Sequence, residues 1–309
     1  MRQLNMRILV TGGGGMIGRN LKSILQDAYY PSSSECNLTV SSQVDDTFRV
    51  YAPDIVVHIA ARVAGLNGNI NDNYQQLLQN SLINLNVIEA CRMHNVKRVI
   101  SILSTCVFPD KVQYPLKSSC ILDGPPHPSN EGYATAKRLL YTATKCLANE
   151  NDNINIINLT PTNMYGKYDN YDKEKSHVIP ALIRKVFEAK ESKATLKIQG
   201  SGMAKRQFVY AMDFAKIIKE MITLPLEKNF NNIIVSPPEN AELSINELLS
   251  KIMNLCDFKG FKLKTTGPDG QIKKTCDSRE LQSYLPYFEF TSLDDGLKET
   301  IEDVGKIKF

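Results

Sequence analysis

A chain of 309 residues with a net charge of +4, 42% hydrophobic and 23% charged residues has the make-up of an ordinary globular protein, and it is long enough to bury roughly three quarters of its unfolded surface without help from a metal or disulfide. Its basic residues alternate with acids and trace no stripe for a phosphate backbone, which excludes nucleic acid as an expected partner, and runs such as Ile55–Ala61 fall far below the ~20 residues of a membrane span, with no apolar signal core after the basic start. Seven widely spaced cysteines without a CxxC pair provide neither a disulfide framework nor a zinc site, so a reducing, cytoplasmic protein without metal is expected.

In chain order, Met6–Val10, Ile55–Ile59, Arg98–Leu103 and Ile154–Leu159 are brief, branched-apolar runs bounded by turn residues, the pattern of strands buried on both faces. A second strand is expected near Leu38–Val40. Between these runs lie helical patterns at Met16–Gln26, Tyr74–Met93 and Tyr133–Asn149, an alternation that builds parallel βαβ units. After Pro161 the rhythm changes. Helices are expected at Val178–Lys190, Asp213–Leu224, Ile245–Leu255 and Leu293–Val304, and Ser244/Glu247 and Ser292/Asp295 have capping-box spacing, while the polar cluster at 167–175 predicts a mobile loop. The sum is an α/β fold, a Rossmann-like doubly wound parallel sheet over residues 1–165 with a smaller C-terminal α/β substrate domain over 166–309, from which a segment at about 205–235 packs back onto the first.

The first strand runs into Thr11-Gly-Gly-Gly-Gly-Met-Ile-Gly18 and then a helix, so glycines stand at 12, 15 and 18. A dinucleotide needs this: one glycine turns tightly, one lets backbone N–H groups approach a pyrophosphate, and one lets helix pack on strand. A plain βα turn would use glycine too. An acid about 20 positions on would select a ribose 2′-hydroxyl, and here Tyr30-Pro-Ser-Ser-Ser-Glu35 offers three hydroxyls ahead of one acid and no arginine.

The strand Arg98–Leu103 ends in Ser104-Thr-Cys106, and Tyr133-Ala-Thr-Ala-Lys137 opens a helix 29 residues after Ser104. Spacing of four puts Tyr133 and Lys137 on one face, where an ammonium is expected to lower a phenol pKa and make Tyr133 a proton donor, with Ser104 holding a carbonyl. Tyr141/Lys145 and Tyr171/Lys175 share the spacing but not the context. Free cysteines and histidines are more often structural, and His58, His94 and His127 are read so. Cys106, just past a strand end, lies where open α/β sheets keep their ligands.

With these elements in this order the chain resembles the extended short-chain dehydrogenase/reductases. The strings Ser104-Thr-Cys-Val-Phe-Pro-Asp-Lys111, Gly124-Pro-Pro-His127, Pro161-Thr-Asn163, Tyr168-Asp-Asn170, Ser176-His-Val-Ile-Pro-Ala-Leu182 and Asp269-Gly-Gln-Ile-Lys-Lys274 look like those of the GDP-L-fucose synthase family within it. The resemblance implies epimerisation of GDP-4-keto-6-deoxy-D-mannose at C3 and C5 followed by reduction at C4 with NADPH, in a homodimer joined through helices of the dinucleotide domain. It implies catalytic roles for Ser104, Cys106, Tyr133, Lys137 and His177, Cys106 taking a proton and His177 returning one. It implies an NADP(H) site from Gly12, Gly15, Met16, Ile17 and Gly18, from Ala60 and Ala61, from Leu103 and Ser104, and from Pro161, Thr162, Asn163 and Met164, with Tyr133, Lys137 and His177 beside them. The GDP-sugar would meet Lys185, Gln199, Arg206 and Asp269.

Two departures keep alternatives open. The family usually has tryptophan where this chain has Gln199, and some relatives place an arginine near the 2′-phosphate where this chain has Gly14. A 4-ketosugar reductase or epimerase acting on another nucleotide, or a catalytically silent NADP(H)-binding sensor, therefore stand beside the first reading.

Overall fold

Four of the brief apolar runs become adjacent parallel strands. In the computed structural model, which describes residues 6–63, 71–192, 195–259, 263–266 and 271–305, β1 (Ile8–Thr11), β2 (Ile55–His58), β3 (Arg98–Ile102) and β4 (Asn155–Pro161) lie side by side in that order, and β5 (Phe230–Val235) completes the sheet on the β4 edge. The register sets Ile8 opposite Ile55, Ile55 opposite Arg98, Val99 opposite Ile156 and Ile157 opposite Asn231. Because side chains alternate, Val56, Val99 and Ile156 enter one core layer and Val57, Ile100 and Ile157 the other, all of them buried.

Helices cover both faces. One face receives α2 (Ser41–Tyr51) with Phe48, α3 (Asn73–Met93) with Val87 and Ile88, and α4 (Glu131–Glu150) with Leu140 and Leu147. The other receives Ile17 and Leu21 of α1 (Met16–Ile24), together with Phe214, Ile218 and Met221 of the later helix Ala211–Thr223.

The expected strand at Leu38–Val40 does not form. Asn37 Oδ1 accepts from the N–H and hydroxyl of Thr39 at 3.1 and 2.8 Å, a local turn that competes with sheet pairing and delivers the chain into α2. Tyr29 instead pairs with the free edge of β1, exchanging bonds of 2.8 Å with Ile8 and Val10. The chain thus crosses from one side of β1 to the other, and the order reverses beside the glycine turn. Ligands of open α/β sheets bind at such a point.

After β4, α5 (Val178–Ser192), α7 (Ile245–Leu255) and α9 (Leu293–Val304) enclose a third core around Ile183, Leu248 and Leu297, with Ala211–Thr223 counting as α6 and Arg279–Tyr284 as α8. Short strands accompany them: Asn163–Tyr165 pairs with Phe208–Tyr210, and Leu196–Gln199 with Leu263–Thr266. Ser244 and Glu247 complete the capping box of α7, and Ser292 Oγ accepts from Asp295 N at 3.1 Å to cap α9.

This part is sewn back to the sheet. Buried Gln207 donates to Pro237 O at 2.8 Å beyond β5 and accepts from Cys276 N at 2.8 Å, while Asp213 of α6 accepts from Thr291 N at 2.6 Å. Among the described residues no helix is long and apolar enough to cross a membrane, and no group of acids, histidines and cysteines is placed to hold a metal.

Candidate active site

Residue chemistry at the end of β1 fixes the shape of the glycine turn. Gly12 has φ of +77°, and a Cβ there would lie 2.7 Å from Ala60 N; a Cβ on Gly18 would lie 2.3 Å from Gly12 O. Backbone therefore meets backbone where a side chain would intrude. Gly15 begins α1 with no side-chain cap and no acid in the first turn, so the N–H groups of Met16, Ile17 and Gly18 have no helical acceptor. An uncapped helix start at a strand-order reversal fits the pyrophosphate of a dinucleotide. Ala60 and Ala61 border the turn from the end of β2, and both are half-buried.

β3 delivers the next set. Leu103 N bonds Leu159 O at 2.8 Å, and the chain then tightens into a 3-10 turn at Thr105–Val107 whose cap is Ser104, its Oγ accepting from Cys106 N at 3.3 Å. Ser104 and Cys106 are both partly accessible at this turn. The turn is held from below by Arg138, which donates to Val107 O at 2.7 Å. Arg138 escaped the sequence reading, although it adjoins Lys137.

Tyr133 and Lys137 share a face of α4, as the spacing predicts, with Lys137 Nζ 6.0 Å from the Tyr133 ring centre. Lys137 is fully buried and donates to Ile102 O at 2.6 Å, and burial lowers its pKa to about 8. The expected lowering of Tyr133 is not found. Burial pushes the phenol up, and neighbouring Cys106 adds to the rise, while the ammonium is turned toward the β3 carbonyl. Tyr133 is a neutral donor here.

A buried chain of hydrogen bonds ties this helix to the glycine turn. Thr11 Oγ1 meets His58 Nδ1 at 2.8 Å, His58 Nε2 meets Asn84 Oδ1 at 3.0 Å, and Asn84 Nδ2 donates to Ala136 O at 3.1 Å between Tyr133 and Lys137. With its amide N–H on Ala136, Asn84 offers oxygen to His58 Nε2–H, so Nδ1 accepts the Thr11 proton. Burial, then the Lys137 charge, pushes His58 down to about 3, and it stays neutral as a structural donor. His94 meets Asp45 of α2 at 2.7 Å and His127 meets nearby Ser129 at 2.8 Å.

The opposite wall comes from the later elements. His177 precedes α5, where its carbonyl accepts from Ala181 N at 3.0 Å; the residue is exposed, yet surrounding protein lowers its pKa by desolvation. Lys185 is half-buried on α5, and burial lowers it against the pull of Glu188. Arg206 donates to Lys205 O and Gln271 O at 2.7 Å each; burial lowers it, while Tyr114, Glu242 and Cys106 act the other way, which sets it on the Cys106 side. Pro161 ends β4, Thr162 N bonds Val235 O at 3.0 Å, and Asn163 donates to Gln207 O at 3.1 Å, with Met164 next in the short strand. Gln199 ends the strand paired through Thr266. Asp269 lies outside the described residues.

A family model described as the NAD dependent epimerase/dehydratase family matches residues 8–235. The chain is 37% identical over 303 residues to a GDP-L-fucose synthase of Dictyostelium discoideum, spanning 96% of this chain and 94% of that protein. It is 30% identical over 309 residues to a GDP-L-colitose synthase of Yersinia pseudotuberculosis, spanning 96% and 97%. Its fold is similar to the crystal structure of a GDP-L-fucose synthetase from Naegleria fowleri bound to NADP, with a TM-score of 0.90, 32% identity and coverage of 97% and 93% of the two chains.

Proposed function

The chain belongs to the NAD dependent epimerase/dehydratase family, and from that premise we propose that it converts GDP-4-keto-6-deoxy-D-mannose to GDP-L-fucose, inverting C3 and C5 and then reducing the C4 ketone. The observation that carries this reading is that Cys106 lies near enough to Tyr133 at the end of β3 for its charge to act on the phenol, with Lys137 Nζ 6.0 Å from the same ring. Both reaction types need a group there.

C3 and C5 each adjoin the C4 carbonyl, so loss of either proton is eased by charge moving onto the ketone oxygen. Ser104 donates to that oxygen. Cys106 removes the proton from one face of the ring, and His177, across the cleft and kept mostly neutral by desolvation, returns one from its protonated fraction to the other face. NADPH, when bound along the glycine turn and Pro161–Met164, supplies hydride to C4. Tyr133 gives its proton to the C4 oxygen as the alcohol forms; its raised pKa keeps that proton in place until then, and Lys137 lies beneath it with Nζ 6.0 Å from the ring centre. Lys185 and Arg206 provide positive charge for the diphosphate.

The assay mixes protein, NADPH and the 4-keto sugar nucleotide, following cofactor oxidation and uptake of deuterium from solvent at C3 and C5. Cys106→Ser is expected to cut deuterium uptake by about a hundredfold or more, whereas Tyr133→Phe keeps uptake and loses reduction by about the same factor. No cofactor oxidation by folded protein would overturn the reading. Gln199, standing where the family has tryptophan, favours a second one, a 4-ketosugar on another nucleotide, which competition among GDP, UDP and dTDP sugars separates. The exposed Tyr74, Leu82, Leu85 and Met93 on α3 support a homodimer through that helix, a cytoplasmic assembly to be weighed by light scattering.

A further inference from the structure

We infer that this chain binds NADH about as well as NADPH, because the stretch after the glycine turn that would meet the adenosine 2′ group sets Glu35 against Lys22 and, among the described residues, turns its one arginine, Arg19, onto Tyr168. The inference rests on the cofactor reading above and adds to it a choice between the two nucleotides.

After a β1–glycine–α1 turn, the side chain about 20 residues on sorts the cofactors: an acid accepts a ribose 2′-hydroxyl, and a guanidinium takes a 2′-phosphate. Glu35 stands 20 residues after Gly15. The structure returns the stretch just before it to the turn. Tyr30 packs on the loop so closely that a Cβ on Gly13 would lie 2.9 Å from its ring, and a turn closed by Cys36 N on Ser32 O at 3.0 Å follows at once.

Glu35 Oε2 accepts from Ser32 N at 2.7 Å and Ser32 Oγ at 2.6 Å, and these bonds hold its carboxyl below the usual range, so it is an anion at neutral pH. Ser34 Oγ adds a hydroxyl 2.9 Å from Ser32 Oγ. Lys22 Nζ lies 5.5 Å from the Tyr30 ring centre, and its charge acts on Glu35. From Gly12 to Glu35 the only other basic residue is Arg19, and its guanidinium lies 3.9 Å over the Tyr168 ring.

A 2′-phosphate, carrying roughly two negative charges, therefore meets one cation and one anion, whereas a 2′-hydroxyl meets a carboxylate able to accept its proton. Exposed charges a few ångströms apart are each worth about fivefold in binding, and here they oppose one another. Neither nucleotide is strongly favoured.

The test titrates the protein alone with NADPH and with NADH, following nucleotide fluorescence without sugar. Dissociation constants within about tenfold of each other are expected, and any larger preference overturns the inference. Glu35→Gln should move the ratio about fivefold toward NADPH and Lys22→Ala about fivefold toward NADH; a ratio unmoved by both removes these residues from the choice. Gly14→Arg, whose Cβ would meet nothing within 4 Å, should favour NADPH by about tenfold or more. Tight NADPH with no NADH binding overturns the inference alone, while binding of neither by folded protein overturns the cofactor reading as well.

Discussion

The two walls of the cleft are held by different forces. At the sheet end, backbone contacts fix the candidate groups: Gly12 presses on Ala60, Ser104 caps the Cys106 turn, and Lys137 is anchored on Ile102 O at 2.6 Å. On the opposite wall stand three basic groups, exposed His177 and half-buried Lys185 and Arg206, each with its pKa lowered by desolvation. The first wall is shaped in advance and the second is charged in advance, so an anion bound there would relieve a desolvation cost.

Changing shape at the sheet end should do the most damage. Gly18→Ala drives a Cβ to 2.3 Å from Gly12 O and 2.6 Å from Gly13 Cα, backbone atoms that have no rotamer to yield. Loss of about 3 kcal/mol in urea unfolding is expected, with nucleotide binding weakened at least as much.

Lys137→Met probes the one charge buried on the shaped wall. Lys137 has a folded pKa of about 8 against an ordinary 10.5. Below pH 8 both states carry the proton and the folded state bears the whole desolvation cost; between the two values the unfolded chain binds more protons, so wild-type stability from this group rises with pH. Without nucleotide, Lys137→Met should therefore be more stable by about 2 kcal/mol at pH 7, after allowing for the lost bond to Ile102, and the gain should shrink by pH 10. A gain that grows with pH would contradict the burial of this ammonium.

Ser244→Ala tests the other wall at the start of α7, where Ser244 and Glu247 complete a reciprocal cap. About 1 kcal/mol of stability should be lost, with nucleotide affinity unchanged, if the two walls are as separable as their contacts imply.

Local pattern made much of this legible. The strands β1 to β4 and the helices around them follow from brief apolar runs and glycine punctuation, and α7 and α9 occupy the stretches that their capping residues announce. Features set by contacts across the chain were not legible. Leu38–Val40 has strand composition, but the side chain of Asn37 captures its backbone; α2 shows only Val44 and Phe48 as a buried stripe. The Tyr133/Lys137 spacing was readable, whereas the direction of the phenol's pKa depended on an ammonium anchored to a strand carbonyl. The chain from Thr11 through His58 to Asn84 joins residues 26 and 47 positions apart, beyond the reach of any periodicity.

The empty space beside Gly14 has a genetic reading. Every glycine codon of the form GGN becomes an arginine codon, CGN, by a single base change, and at Gly14 a Cβ would meet nothing within 4 Å. Selection for a phosphorylated cofactor could thus act on this loop in one mutational step, without a second change to preserve folding. If NADH and NADPH bind about equally, a lineage that keeps glycine there draws on both of the cell's reductant pools.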